Sequence, residues 1–358
     1  MSHFLQDIRR QPQELDRTFD YLASTGRRGL RAAADAIRKA RYVYLTGIGS
    51  SWHAAFGAGA IFSSAGRPVY MQDAGELVQF ATFPAESVII AISRSGRSAE
   101  IVSLVAKARE GGAKVIGITN SADGVLARET QFPILVPALR DHAISVNTYS
   151  TLAVAAAVLA CVAVDSFDDK LAASLRCAAA ETGHRIPEWQ EQIASSHWVA
   201  PRKLVHFLAR GGSLGSCHEA RLLWEEGAKS EATALGTGSF RHGPQEMVVE
   251  GSRFALWIDG QRSREQDLSV VHDLRRLGTS VVLIGQNLSS DAGDLVFALP
   301  EVHPEWQFMI DIVPAQLAAE YLAQLSGVDC DSFRICSYIV EDEYGLIGAE
   351  ATVRKDAK

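Results

Sequence analysis

Short apolar runs alternate with helical patterns along most of the chain. In the first half, β-branched apolar runs at 42–45, 87–92 and 114–118 are separated by segments with helical spacing. In the second half, similar runs lie at 204–208 and 254–258. This alternation predicts parallel sheets with helices on both faces, so we assign the chain to the α/β class.

The two halves of the chain resemble each other locally. Residues 109–118 parallel 275–284, and a glycine-containing turn follows a strand at the same place in each half. We infer an internal duplication of an α/β unit, with a period far longer than that of a solenoid repeat.

The same pattern predicts where the domains begin and end. The predicted parts are a helical segment at 1–40, a first α/β domain at 41–195, a second at 200–345 and a polar tail at 346–358. Pro12 and Pro187 predict breaks in the helices around them, because proline disfavours helix in the residue before it.

Two turns rich in glycine and serine follow strands of the first half. Residues 93–98 read Ser-Arg-Ser-Gly-Arg-Ser and open a helix, and residues 47–51 read Gly-Ile-Gly-Ser-Ser. Hydroxyls and backbone N–H groups in front of a positive helix end suit a phosphate, although such a turn can also serve only to cap the helix. Ligands of these sheets bind at the carboxyl ends of strands. The matching turn of the second half, 259–263, has lost two of the serines.

Composition narrows the classes of protein. The chain has 358 residues, is 47% hydrophobic and carries a net charge of −7, which disfavours nucleic acid as its main partner. Its most apolar stretch, 151–164, is shorter than the roughly 20 residues that span a bilayer, so we expect a core helix. The N-terminus lacks the apolar region of a signal peptide. Five scattered cysteines without a CxxC pair indicate neither a zinc site nor a disulfide framework, and fit a reducing cytoplasm.

Acidic and histidine side chains form a second group of chemical interest. Glu219 and Glu226 lie two turns apart on a predicted helix, so they share a face. A carboxylate whose pKa is moved toward neutrality by burial can act as a general base, whereas a solvated acidic face does no chemistry. His242 lies in a loop, where it can serve as an acid or base near neutral pH or remain a surface residue.

Four stretches resemble, in order, signature segments of the sugar isomerase (SIS) family, and specifically of its double-domain members. They are Arg-Gln-Pro-Gln-Glu-Leu at 10–15, Gly-Ser-Ser-Trp-His at 49–53, Ser-Arg-Ser-Gly-Arg-Ser at 93–98, and the helix 219–226 followed by Arg-His-Gly-Pro at 241–244. Such members include the isomerase half of glucosamine-6-phosphate synthase and aminosugar-phosphate isomerases, deaminases and deglycases. The resemblance covers nearly the whole chain. It implies two tandem SIS domains, each with a parallel five-stranded flavodoxin-like sheet.

The resemblance also implies a function and roles for residues. The chain would act on an (amino)hexose 6-phosphate by aldose–ketose proton transfer between C1 and C2. Glu226 and Glu219 are the implied catalytic carboxylates, and His242 would promote ring opening from the neighbouring subunit of a homodimer. The residues implied to hold the phosphate are Ser50, Ser51, Ser93, Arg94, Ser95 and Ser98. No cofactor, metal, nucleic acid or membrane partner is expected.

Several positions depart from the family pattern. Leu223 and Tyr338 stand where the family has lysines, which disfavours Schiff-base chemistry. Arg94 replaces a glutamine, and so adds a cation to the turn or selects a more acidic substrate. The glutaminase half is expected to be absent. The missing lysines favour a non-catalytic sugar-phosphate sensor as the rival function, whereas Glu226 and His242 favour an enzyme.

Overall fold

The computed structural model describes residues 1–343 and 345–346, so nearly all of the predicted tail lies outside the described residues. Contacts group the chain into two compact units. The first unit comprises Arg17–Ser166 and the chain from Asp331 onward, and the second comprises Met1–Asp16 and Phe167–Cys330. This grouping joins distant segments and differs from the sequential division expected above, whose boundaries stay predictions.

The first unit contains a five-stranded sheet and the helices around it. A long helix, α1, spans His3–Ala23, and only its part from Arg17 onward belongs to this unit. The strands are β1 (Tyr42–Thr46), β2 (Tyr70–Met71), β3 (Ser87–Ile92), β4 (Lys114–Thr119) and β5 (Phe132–Leu135). The helices are α2 (Arg27–Lys39), α3 (Ser50–His53), α4 (Ala55–Ser64), α5 (Ala74–Phe80), α6 (Ala99–Glu110), α7 (Val125–Arg128) and α8 (Asn147–Ala163).

The strand order of the first sheet is β2-β1-β3-β4-β5, and every pairing is parallel. This is the flavodoxin-like order, in which the chain reverses its direction of travel between β1 and β3. In the β1–β3 register Thr46 lies opposite Ala91, so the two strands end side by side. The turns that follow them therefore meet at the same edge of the sheet.

The core of the first unit is centred on α8. Nearly all of its residues are buried, and it packs against α2 and α4. A helix that is apolar all round needs partners on every side, and the small residues of α4 allow a close approach. The expectation of a core helix at 151–164 is confirmed. Among the described residues, no helix is long and apolar enough to cross a membrane.

The second unit repeats the architecture. Its strands are β6 (Val205–Ala209), β7 (Ala232–Gly236), β8 (Arg253–Trp257), β9 (Ser280–Gly285) and β10 (Leu295–Ala298), and its helices are α9 (Asp169–Ser195), α10 (Ser213–Glu226), α11 (Thr237–Phe240), α12 (Arg264–Arg276) and α13 (Val313–Ser326). Short 3₁₀ helices span Pro244–Met247 and Pro304–Met309. The sheet order is β10-β9-β8-β6-β7, which is the same flavodoxin-like order read from the other edge. The predicted fold class of two parallel five-stranded sheets is confirmed.

The predicted helix breaks at the two prolines were wrong. Pro12 lies inside α1 and Pro187 lies inside α9. A proline in a helix interior costs roughly 3 kcal/mol, which packing has to offset. Pro12 fits against Gly183, where an added Cβ would lie only 2.8 Å from its ring. Around Pro187 the side chains of Ile186 and Trp189 are buried.

Asp311 is a buried carboxyl group in the core of the second unit. It precedes α13, and one of its oxygens accepts a 2.6 Å hydrogen bond from the Ser213 hydroxyl. Burial raises the pKa of Asp311 to about 7, against the smaller lowering effect of that hydrogen bond. Between about pH 4 and pH 7, the Asp311 carboxyl group therefore stays protonated in the folded protein, whereas in an unfolded chain, with a carboxyl pKa of about 4, it has released its proton.

This retained proton makes stability depend on pH. Between about pH 4 and pH 7 the native state binds more protons than the unfolded state, so the free energy of unfolding should fall as pH rises. Asp311→Asn removes the titration and keeps an oxygen for Ser213. Its stability relative to wild type should rise across this interval by as much as about 4 kcal/mol, and stay constant above it. Urea denaturation from pH 5 to 8 measures the difference in the free energy of unfolding between the variant and wild type. A difference that does not change with pH would contradict the raised pKa of Asp311.

Candidate functional site

The turn at 93–98, called here the serine turn, is shaped by its own hydroxyls. It leaves the buried end of β3, and Gly96 adopts a left-handed conformation with φ of 61°. The Ser93 Oγ accepts a 3.0 Å hydrogen bond from the Gly96 N–H, and the Ser95 Oγ accepts a 3.1 Å bond from the Arg97 N–H. Ser98 is the N-cap of α6. The turn thus places several hydroxyls in front of a positive helix end.

A second glycine supports the serine turn from the next loop. Gly124 lies so close that an added Cβ would be 2.3 Å from the Ser95 carbonyl oxygen and 2.7 Å from the Gly96 Cα. The Val125 N–H donates a 3.0 Å hydrogen bond to the Gly96 carbonyl. Sequence reasoning missed Gly124, because a glycine in a loop does not reveal which backbone approaches it.

The turn after β1 meets the serine turn. Gly49 is left-handed with φ of 56°, and α3 begins directly after it at Ser50. Ser51 is buried, and its Oγ accepts a 3.4 Å hydrogen bond from the Arg94 N–H. The structure therefore brings together both turns that the sequence singled out, at the carboxyl ends of the neighbouring strands β1 and β3. Their phosphate-binding role stays a prediction.

The Arg94 side chain points toward two segments that are distant in sequence. Its guanidinium donates 2.8 Å hydrogen bonds to the Ser145 Oγ and to the Tyr338 carbonyl oxygen. The same guanidinium lies 4.0 Å from the centre of the Tyr338 ring, within the range of a cation–π contact. Tyr338, at a position where the family resemblance expects lysine, instead holds an arginine of the turn.

Residues after Tyr338 also contact the serine turn and its helix. The Val340 carbonyl oxygen accepts a 3.1 Å hydrogen bond from the Ala99 N–H in the first turn of α6. Arg97 and Glu341 form a loose ion pair at 3.9 Å between exposed side chains. The described C-terminal segment thus supplies an acceptor to the helix end that would otherwise face solvent or a ligand.

In the second unit, the carboxylate of Asp267 is bound by residues that follow β6 and β8, the strands that match β1 and β3 of the first unit. Asp267 is fully buried, and it accepts hydrogen bonds from the Arg210 Nε at 2.7 Å and the Ser263 Oγ at 3.0 Å. The Asp259 N–H adds a 3.4 Å bond. Arg210 follows β6 and Asp259 follows β8, so these donors come from the two strand ends that match those of the first unit. The matching turns of the two units therefore differ in structure as well as in sequence.

The predicted catalytic residues lie in the second unit. Glu219 is fully buried in α10, whereas Glu226 is the last residue of that helix and is half-buried. His242 follows α11 in an exposed turn, and Gly243 beside it is left-handed with φ of 121°. Lys229 is also left-handed and donates a hydrogen bond to the Glu226 carbonyl oxygen. The two carboxylates therefore have different environments, and Glu226 has the more accessible one.

Comparisons with known proteins show what the chain is similar to. The SIS domain model matches residues 36–163. The chain is 28% identical over 314 residues to glutamine–fructose-6-phosphate aminotransferase (isomerizing) of Bacillus spizizenii, which covers 84% of this chain and 51% of the relative. It is 26% identical over 355 residues to the enzyme of the same name from Symbiobacterium thermophilum, covering 93% of this chain and 58% of the relative. The chain thus spans about half the length of the curated relatives it matches.

Solved structures share the fold. The C-terminal domain of glucosamine-fructose-6-phosphate aminotransferase from Francisella tularensis superposes with a TM-score of 0.82 at 20% identity, covering 92% of this chain and 98% of that one. Tagatose-6-phosphate ketose/aldose isomerase from Escherichia coli superposes with a TM-score of 0.80 at 23% identity, covering 92% of this chain and 95% of that one. Residues 36–163 therefore match the SIS domain, and over most of its length the chain is homologous to the isomerase part of the glutamine–fructose-6-phosphate aminotransferases and shares the fold of these solved structures.

Proposed function

We propose that the protein is a phosphosugar aldose–ketose isomerase or aminosugar-phosphate deaminase that acts on an (amino)hexose 6-phosphate. The observation that carries the proposal is the meeting of the two serine-containing turns through the Arg94 N–H and the Ser51 Oγ. Neutral N–H and O–H donors in front of a helix end can hold a phosphate dianion even though the chain has a net charge of −7. In this proposal the protein binds the sugar through its phosphate group, which contacts the two turns.

The chemistry is assigned to the second unit. In the proposed reaction His242 transfers a proton as the sugar ring opens. The Glu226 carboxylate then removes the proton from the carbon beside the carbonyl, which gives an enediol or, on an aminosugar, an enamine. The carbonyl oxygen takes up a proton as the enediol forms. Return of the carbon-bound proton to the neighbouring carbon, with loss of a proton from the other hydroxyl, completes the aldose–ketose interconversion. On an aminosugar the same transfer leaves an imine, which water hydrolyses to the ketose and ammonia. The half-buried position of Glu226 at the end of α10 supports this role better than the fully buried position of Glu219.

A homodimer and a cytoplasmic location belong to the same proposal. In the family resemblance, the histidine of the Arg-His-Gly-Pro segment serves the neighbouring subunit. His242 is exposed, which supports a role that reaches beyond its own chain. Size-exclusion chromatography with light scattering tests the dimer.

The second candidate function is a non-catalytic sensor of sugar phosphates. The observation that favours it is the identity of Leu223, a buried residue at a position where the family resemblance expects lysine. Purified protein should be incubated with hexose and hexosamine 6-phosphates and with amine-linked fructose 6-phosphates, following ketose formation and ammonia release separately. Turnover of any of them supports the enzyme, whereas binding of several without turnover supports the sensor.

Glu226→Gln tests the base and has a matched control in the adjacent residue. Loss of the carboxylate should lower kcat by roughly 10²- to 10⁴-fold, because general base catalysis contributes an effect of that size. Binding of the phosphosugar should persist. Glu225→Gln removes the same charge from an exposed side chain whose partner is Arg221 at 3.5 Å, and it should stay near wild-type activity. Unchanged kcat in Glu226→Gln would remove the assigned role.

Gly124→Ala tests the shape of the serine turn. The added methyl group would press on Ser95 and Gly96, so we expect overpacking to cost about 1–3 kcal/mol of stability. Displacement of the turn should weaken glucose 6-phosphate binding roughly tenfold, as a loss of about 1.4 kcal/mol would. The control is Gly29→Ala, where the nearest atom to the new Cβ is an ordinary 3.5 Å contact. Calorimetric titration measures both variants, and equal affinities would show that the turn tolerates displacement or does not bind the ligand.

A further inference from the structure

A cavity rich in arginine lies beside the serine turn in the first unit. It encloses about 150 Å³, enough for several water molecules of about 30 Å³ each. Polar residues of its lining include Arg94, Ser95, Arg97, Asn120, Arg140 and Tyr338. Asn120 and Ser121 follow β4, and the strand order places β4 on the opposite side of β3 from β1. Ser95 of the serine turn also lines the cavity, so the cavity adjoins that turn and reaches the residues after β4, and Ser51 is not among its described lining residues.

All the charged side chains that line this cavity are positive. Three guanidinium groups line the cavity, and none of its described lining residues is a carboxylate. The Arg97 partner, Glu341, is 3.9 Å away and both side chains are largely exposed, so that pair neutralises little. A locally positive cavity on a chain with a net charge of −7 focuses the field on a small anion.

The carboxylate of Asp141, a neighbour of Arg140 in the chain, is already satisfied. Asp141 is buried, and its two oxygens accept hydrogen bonds from the backbone N–H groups of Val146, Asn147 and Thr148 at 2.9–3.0 Å. The Thr148 hydroxyl and the Asn147 side-chain amide add further bonds at 2.6 and 2.8 Å. This carboxylate caps the N-terminus of α8 and is committed to that helix end.

Two of the three arginines, Arg94 and Arg140, contact neutral groups. Arg94 stacks on Tyr338 and bonds to a hydroxyl and a carbonyl oxygen, neither of which carries charge. The Arg140 guanidinium lies 4.6 Å from the centre of the same ring. Two cations near one tyrosine repel each other, and an anion between them would relieve that repulsion. Guanidinium groups fixed by stacking are also preorganised for the paired oxygens of a carboxylate or phosphate.

We infer that this cavity is a second anion subsite, and that the sugar phosphate bound by the protein carries a second acidic group, a carboxylate or another phosphate. The inference rests on the proposed function, because it takes the serine turn as the holder of the first phosphate. Arg94 links the two sites, since its N–H faces Ser51 and its guanidinium faces the cavity. A hexose 6-phosphate without a second acidic group would leave the arginine-rich cavity without its anion.

The test compares ligands that differ by one acidic group. Calorimetric titration would measure glucose 6-phosphate against 6-phosphogluconate, and fructose 6-phosphate against fructose 1,6-bisphosphate. At least one of the two diacids should bind roughly tenfold tighter than its partner, as expected for an added charge-assisted hydrogen bond. Arg140→Gln should abolish this ratio. Arg109→Gln, which removes the same charge at the far end of α6, should preserve it.

The outcomes separate this inference from the proposed function. If neither monophosphate nor diacid binds, both fail. If the monophosphates bind and neither diacid is favoured, only the second subsite fails. A ratio that survives in Arg140→Gln, or monophosphate affinity that falls as much as diacid affinity in that variant, would also overturn it. Free citrate added with glucose 6-phosphate tests a separate anion: citrate binding that Arg140→Gln abolishes, with no diacid favoured, would assign the cavity to an independent ligand and overturn the inference.

Discussion

The register of β1 and β3 is the constraint on which the candidate site depends. Thr46 lies opposite Ala91, so two strands at the centre of the first sheet end together. Their turns can then share the hydrogen bond from the Arg94 N–H to the Ser51 Oγ. Left-handed glycines at 49 and 96 let the chain bend sharply in each turn, shortly before the helix that follows. A slip of this pairing would separate the hydroxyls and leave the helix ends without a common focus.

The two units show how one topology supports different chemistry. Both sheets have the same strand order, and in both the turns after two central strands gather polar donors. In the second unit these donors hold the carboxylate of Asp267, which is buried and paired with Arg210. In the first unit they are hydroxyls and N–H groups around a turn without such a carboxylate among its own residues. The difference arises from a few side chains at strand ends and not from the fold.

Contacts between distant segments give the serine turn its particular character. Tyr338 is 244 residues from Arg94 along the chain, yet its carbonyl and ring fix the direction of that guanidinium. Arg140 approaches the same ring. An arginine that could have faced the serine hydroxyls is thereby turned toward a neighbouring cavity. Arg94, which stands where the family resemblance expects glutamine, therefore adds its positive charge to the cavity, and we expect a ligand with a second acidic group there.

The sequence by itself determined the α/β class, the strands around both turns, the buried helix and the two turns themselves. These features are recorded locally, as β-branched runs, helical spacing and glycine beside serine. Only the tertiary structure decided that α1 and α9 continue through their prolines, because packing against Gly183 and the core offsets a local penalty. It also decided that the weakly patterned strand β7 pairs at the edge of the second sheet. The approach of Gly124, the pairing of Asp267 and the stacking on Tyr338 depend on partners far apart in sequence, which no local pattern encodes.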